Sequence, residues 1–370
     1  MINSAELRAG DWVEVRSKAE ILSTLDEKGE LEGLPFMPEM FEFCGKKIRV
    51  FKRAHKTCDP PNGLGGRRML RTVHLDEVRC NGDAHGGCQA RCLVFWKEAW
   101  LKKVSGRGES GTKTGGDVLP SIGCSEQAVM AATQRQNHSA NPSDEPLFAC
   151  QSTELSRATQ PLSGWDIRQY IEDYFSGNVR FSQILAAFLF FVYEELVTAG
   201  LGLGAALRWL YDVVQRIRGG TPYPWRVGLI DQGAKTPAAK LDVQSGELVK
   251  IRSYPEILKT LNVQRQNRGM WFDAEMVPYC GGTYRVLDRI SKIINEKTGK
   301  MQHLKNDCIM LDEVVCRACY ATNRRFCPRG IYAYWREIWL ERVSPGSSAN
   351  VNQELEKSAN QESAPLNVGK

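Results

Sequence analysis

Apolar and polar residues alternate in two distant stretches of the chain. Val13 and Val15 of DWVEVRS, and Val249 and Ile251 of ELVKIRS, each share one face of a short strand. Behind each strand comes Ser-x-x-Glu, with Ser17 and Glu20 in the first stretch and Ser253 and Glu256 in the second. In such a capping box the serine oxygen satisfies a free backbone N–H and the glutamate reaches back to the cap, so short helices are expected over EILSTL and EILKTL. Alternation then predicts a second strand in KIRVFKR and TYRVLDR, and a third in TVHLDEV and IMLDEVV. Between the two stretches, SGWDIRQYIEDYF sets Ile167, Tyr170, Ile171 and Tyr174 on one helical face behind a further box of Ser163 and Asp166.

These stretches are copies of one module. Residues 12–80 align without a gap to residues 248–316, at an offset of 236. Beyond Cys80 the second copy is three residues longer, and GGCQARCLVFWKEAWL then lies over RFCPRGIYAYWREIWL. Chance does not preserve spacing over such a length, so the chain is a tandem duplication with a long insert. Residues 1–104 form a Cys/His-rich first copy and residues 222–344 a Cys-rich second copy. Residues 105–162, rich in Gly, Ser, Thr, Pro and Gln, read as a flexible linker, residues 163–221 as a helical insert, and residues 345–370 as a disordered tail. The fold class expected is α+β: two homologous small modules of mainly antiparallel strands plus a helical insert.

The opening from Gly10 and Asp11 to Val15, followed by short strands, resembles the small SH3-like barrels of the KOW and nitrile-hydratase-accessory kind. The tandem arrangement resembles paired Cys-containing modules of bacterial proteins. The resemblance implies an SH3-like barrel in each copy.

Apolar content of 42% and charged content of 25% are globular values and exclude a wholly disordered chain. A net charge of +6 permits an anionic partner without demanding one. The charge is uneven: residues 44–104 carry 14 Lys/Arg against 5 Asp/Glu, whereas residues 1–43 carry 4 against 10. The basic half raises nucleic-acid binding, but its acidic neighbour is placed to neutralise it. The N-terminus has no apolar h-region, so a cytoplasmic location is expected. The apolar run ILAAFLFFVY, Ile184 to Tyr193, is half the roughly 20 residues that span a bilayer. Glu194 and Glu195 follow it, and each would cost about 2.5–3.5 kcal/mol at mid-span. A buried or interfacial helix is expected instead, available to a protein partner, to self-association or to peripheral membrane contact.

Twelve cysteines without an export signal point to reduced thiols, metal ligands or redox chemistry. Three positions recur in both copies: Cys44 with Cys280, Cys80 with Cys316, and Cys88 with Cys327. Cys58 in the first copy and Cys308 in the second are the candidate fourth ligands, with His55, His85, Cys92 and Cys319 as alternates. Four thiolates close a structural zinc site or hold an iron–sulfur cluster. The competing expectation is buried apolar cysteine, a common state of free thiols. Cys124 and Cys150 stand alone in the linker, although FACQSTEL around Cys150 reads as a docking strand.

His55, His74 and His85 all lie in the first copy, so chemistry, if present, is expected there. Glu39 and Glu275 recur before the shared cysteine, and Glu98 and Glu337 between the tryptophans; each could serve a metal-bound water or merely form an ion pair. Trp96 and Trp100, at i and i+4, read as core residues on one helical face. The sequence contains no P-loop, dinucleotide fingerprint, nucleophile elbow or HExxH. The function expected is a soluble two-module accessory or scaffold protein binding zinc or an iron–sulfur cluster. The alternatives are a metal-dependent enzyme or electron carrier with its site in the first copy, and a nucleic-acid-binding protein.

Overall fold

The computed structural model describes residues 6–59, 65–104, 123–135, 145–200, 202–321 and 324–343. The chain divides into two units, one from residues up to 214, 291–305 and 315–332, the other from residues 215–290, 306–314 and 333 onward. The architecture is mixed α+β with mostly antiparallel sheets.

The first unit contains a five-stranded sheet in the order Trp96–Lys97, Thr72–Leu75, Lys47–Arg53, Trp12–Val15, Leu101–Val104. Its pairs are antiparallel, with Trp12 opposite both Arg49 and Val104. The second sheet runs Tyr332–Trp335, Met301–Val315, Thr283–Ile294, Leu248–Ile251, Leu340–Arg342. Strand for strand this is the same order, so the duplication read from spacing is also a duplication of topology. Val13, Val15, Val249 and Ile251 are all fully buried, as their alternation requires.

Both copies start their first helix as expected. Ser17 N and Oγ donate to the Glu20 carboxylate at 3.0 and 2.7 Å, and Ser253 N donates to Glu256 at 3.0 Å. The box at Ser163 does not form. The helix begins later, at Arg168–Phe175, where the Asp166 carboxylate accepts from Arg168 N at 3.1 Å. Its faces are also inverted: Ile167, Ile171 and Tyr174 are exposed, while Gln169 and Asp173 are buried. The cause is a pair of buried bases from the first copy. Lys56 Nζ donates to Asp173 at 2.5 Å, and His55 Nε2 lies 3.3 Å from the same carboxylate. A buried ammonium demands an acceptor, and that outweighs the burial of two isoleucines.

The W-x-E-x-W-L segments are not helical. Each is a short strand, a 3₁₀ turn and a second strand, over Trp96–Val104 and Tyr332–Arg342. The tryptophans are nevertheless core: all four are fully buried. Trp100 Nε1 donates to Thr24 Oγ1 at 3.1 Å and Trp339 Nε1 to Thr260 Oγ1 at 2.8 Å. The glutamates between them make the same ion pair in each copy. Glu98 lies 3.8 Å from Arg53 and Glu337 lies 2.6 Å from Arg289, positions that the duplication itself equates.

Part of the compositional linker is ordered. Val129 and Leu155 belong to the core of the first unit, and Phe148 is buried. Gln151 docks this segment: its side chain accepts from Phe95 N at 2.8 Å and donates to Phe95 O at 2.9 Å and Pro35 O at 3.1 Å. Residues 105–122 and 136–144 of the linker, and the tail 345–370, lie outside the described residues.

The insert contains the helices Phe181–Thr198 and Gly204–Arg218. The first is long and apolar enough to cross a membrane by length and composition, with mean hydropathy 1.4 over 18 residues. Of the buried or interfacial helix expected, the buried form does not occur. Val197 alone is buried, while Leu185, Phe188, Leu189, Val192 and Leu196 are exposed.

Candidate functional site

The loop from Cys80 to Cys92 is shaped by its glycines. His85 N and Gly87 N both donate to Gly82 O at 2.9 Å, and Cys80 N donates to Cys92 O at 2.9 Å. Gly82 has φ +80°, and a Cβ there would stand 2.1 Å from the Cys88 carbonyl oxygen, so only glycine closes this turn. Gln89 ties the loop to the strand Thr283–Ile294, its Oε1 accepting from Ser291 N at 2.8 Å and Lys292 N at 3.0 Å.

The result is a small cavity of about 30 Å³ lined by Cys80, Cys88, Cys92 and Cys150, with His85 and Ser152. The four thiols sense one another. Burial pushes each above its ordinary range, Cys150 to about 12, and the neighbouring sulfurs add to the effect on Cys80, Cys92 and Cys150. Cys88 Sγ accepts from Ile294 N at 3.3 Å, and Ser152 Oγ donates to Cys92 Sγ at 3.6 Å. The four thiols share this cavity with Met37, Leu93, Val94, Phe95 and Ile294, but among the described residues the trio whose ligand atoms lie within 4.8 Å of one another is Glu39, Cys80 and His85.

Glu39, Cys80 and His85 also bring ligand atoms close together. This trio is better read as a support. His85 Nδ1 lies 2.7 Å from Glu39 Oε1 and Nε2 lies 3.1 Å from the Ala149 carbonyl oxygen, so both ring nitrogens face oxygen atoms. Burial pushes the Glu39 carboxyl up, but the His85 hydrogen bond and charge bring it below its ordinary range.

A second group of thiols involves Cys58, which ends the strand Lys56–Cys58. That strand belongs to a separate sheet with Gly66–Arg68 and Gln160–Leu162, and this directs Cys58 away from the Cys80 loop. It clusters instead with Ala318 and Cys327, with Cys316 and Ile331 against them. The Cys58 thiol hydrogen-bonds to the Cys327 sulfur, raising the first and lowering the second. Between the two groups lies Arg329, fully buried. It donates to Cys58 O at 3.2 Å, Ser152 Oγ at 2.9 Å and Glu296 Oε1 at 2.6 Å. Burial works against its charge, and Glu296 with the Cys58 and Cys92 sulfurs holds that charge in place.

The ligand sets read from the repeat are therefore redistributed. Cys80, Cys88 and the alternate Cys92 line one cavity. The fourth cysteine of the lining is Cys150, which stood alone in the sequence; FACQSTEL, expected as a docking strand, is strand only at Phe148 and turns over residues 151–154. Cys44 lies instead near Lys18 and Glu126, half-buried against the core. Cys280 Sγ lies 3.8 Å from Met276 O, and Cys308 Sγ lies 3.4 Å from Met270 Sδ and 3.5 Å from Arg336 Nη1. These three are core thiols. His55 is taken up by Asp173, and His74 Nδ1 donates to Val94 O at 2.8 Å, with burial pushing the ring down to about 3.

Comparison with protein-family models and with curated proteins finds no match to this chain.

Proposed function

We propose that this chain is a cytoplasmic metal-binding accessory or scaffold protein whose first copy is built around a zinc ion held by Cys80, Cys88, Cys92 and Cys150. The observation that supports the reading is that these four cysteines line one small cavity. Four sulfur ligands would leave no position for substrate, which favours a structural over a catalytic centre. Metal binding adds folding energy to a module with few regular elements. The strand order fifth, first, second, third, fourth in both copies supports an SH3-like architecture.

The basic half of the first copy supports nucleic-acid binding poorly. Arg53, Arg71, Lys97, Lys102 and Lys103 pair with Glu6, Glu32, Glu32, Glu20 and Asp11 at 2.7–2.9 Å. The exposed apolar helix Phe181–Thr198 is the docking element of the scaffold reading, with a second copy of the chain or a partner protein as its occupant.

Metal analysis and a visible spectrum of anaerobically purified protein test the reading. Zinc bound to a colourless protein is expected. A brown protein would replace zinc by an iron–sulfur cluster, and a metal-free, colourless, folded protein would overturn metal binding altogether.

A further inference from the structure

We propose that the first unit binds a small organic oxyanion, a phosphate ester or carboxylic acid with an apolar body, in a pocket beside the helix Arg168–Phe175. The proposal goes beyond the zinc centre, with which the pocket shares no residue.

The pocket has a volume of about 410 Å³, within the roughly 300–1,000 Å³ of ligand sites. Its walls come from residues 6–8, the end of the strand Lys47–Arg53, the turn over residues 68–71 and the helix. Main-chain bonds fix this frame. Ala9 N donates to Ser176 O at 2.9 Å, Met69 N to His55 O at 3.0 Å and Glu98 N to Arg71 O at 2.9 Å. Asn178 clasps Arg53, accepting from its N and donating to its O, both at 2.8 Å. Arg71 stands at φ +47°, a conformation that persists where the surroundings impose it. A frame tied in this way preforms the pocket, so a ligand does not have to order it.

The Arg53 and Arg68 guanidinium groups carry the recognition. Arg53 is 5% exposed, and its Nη1 pairs with Glu6 at 2.8 Å. On its other side it shares the Glu172 carboxylate with Arg68, at 3.5 and 3.4 Å. These contacts are long, and the buried Arg53 Nε and Arg68 Nη2 have no hydrogen-bond acceptor among the described residues. A buried donor without an acceptor costs free energy, whereas guanidinium groups bind carboxylate and phosphate oxygens at short range. Glu172 is therefore a stand-in. Its side chain is partly exposed and can turn to solvent, leaving both donors to an incoming oxyanion.

The remaining charge and the apolar lining define the ligand. Arg71 and Arg168 are balanced by Glu32 and Asp166, both at 2.8 Å. Exposed Arg8 makes no ion pair among the described residues and favours an anion. Leu70, Ile171 and Phe175 line the same pocket and are half-exposed. An inorganic ion would leave them in water, but an organic anion covers them with its body.

The test titrates the full chain with phenyl phosphate and with 3-phenylpropionate by isothermal calorimetry, with inorganic phosphate and benzyl alcohol as controls. One-to-one binding of at least one aromatic anion is expected, at least about tenfold tighter than either control. Binding of the first anion alone assigns a phosphate ester, and of the second alone a carboxylic acid. Arg68→Gln should weaken that ligand at least about tenfold, and Ile171→Asn should also weaken it. Glu172→Gln should tighten it, because the competing carboxylate is gone; a purely structural Glu172 would not have this effect. Absence of binding by both anions would overturn the proposal, as would controls that bind equally tightly. Binding that Arg68→Gln and Glu172→Gln leave unchanged would overturn it too. Both side chains are partly exposed, so each variant should fold. Zinc measured on the same sample keeps this result separate from the metal reading.

Discussion

Removing zinc from the Cys80, Cys88, Cys92 and Cys150 centre should reverse how the chain's stability responds to pH. In the loaded chain the four sulfurs are thiolates when folded, but thiols when unfolded at any pH below about 8.5. Folding with the metal therefore releases up to four protons, and stability falls as pH drops. The limit is about 1.4 kcal/mol per thiol per pH unit, or about 5 kcal/mol per unit for four. The metal-free chain behaves in the opposite sense. Burial raises all four thiols, Cys150 from 9.0 to about 12, so the folded state keeps protons that the unfolded state loses. Its stability is full below about pH 9 and is lost as pH rises towards 12, by about 4 kcal/mol for Cys150 alone. Urea unfolding followed by tryptophan fluorescence, with and without chelator, measures both slopes. The loaded chain should gain stability from pH 6 to 8 while the chelated chain stays flat. A loaded chain that is equally flat over that range would refute thiolate ligation.

Three further outcomes follow from single features. His85→Ala should leave the zinc count unchanged but cost about 1–3 kcal/mol, because the buried Glu39 carboxylate loses one hydrogen-bond partner and keeps Ala84 N; loss of zinc without loss of stability would make His85 a ligand after all. Trp339→Ala should cost about 3–5 kcal/mol in denaturant unfolding, since the ring is fully buried and donates to Thr260; a cost below about 1 kcal/mol would contradict its place in the core. Phe188→Glu with Leu189→Glu, both 59% exposed, should dissolve self-association seen by light scattering. A wild-type chain that is monomeric and captures no second copy would refute that docking role, and flotation with lipid vesicles would transfer it to a membrane surface.

The duplication made most of the fold legible. Strand alternation, the two serine caps and the buried tryptophans depend on local pattern, and local pattern survives in each copy. The thiol groups were legible in kind but not in membership. Cys44 and Cys280 recur as faithfully as Cys80 and Cys316, yet they face module cores. Cys150 and Cys58 reach their sites through pairings that no repeat encodes: a docked segment held by Gln151, and a separate three-stranded sheet. The insert helix was misread for a related reason. Its apolar stripe suggested a core face, but the buried His55 and Lys56 drew Gln169 and Asp173 inward. Long-range demands of buried charge override periodicity, and they leave no trace within the helix's own sequence.

X-ray absorption at the zinc edge tests the central claim most directly. The account predicts a first shell of four sulfurs at about 2.3 Å for every zinc ion, with no nitrogen or oxygen ligand. A shell containing imidazole nitrogen at about 2.0 Å would bring His85 or another histidine into the site and contradict the all-thiolate centre.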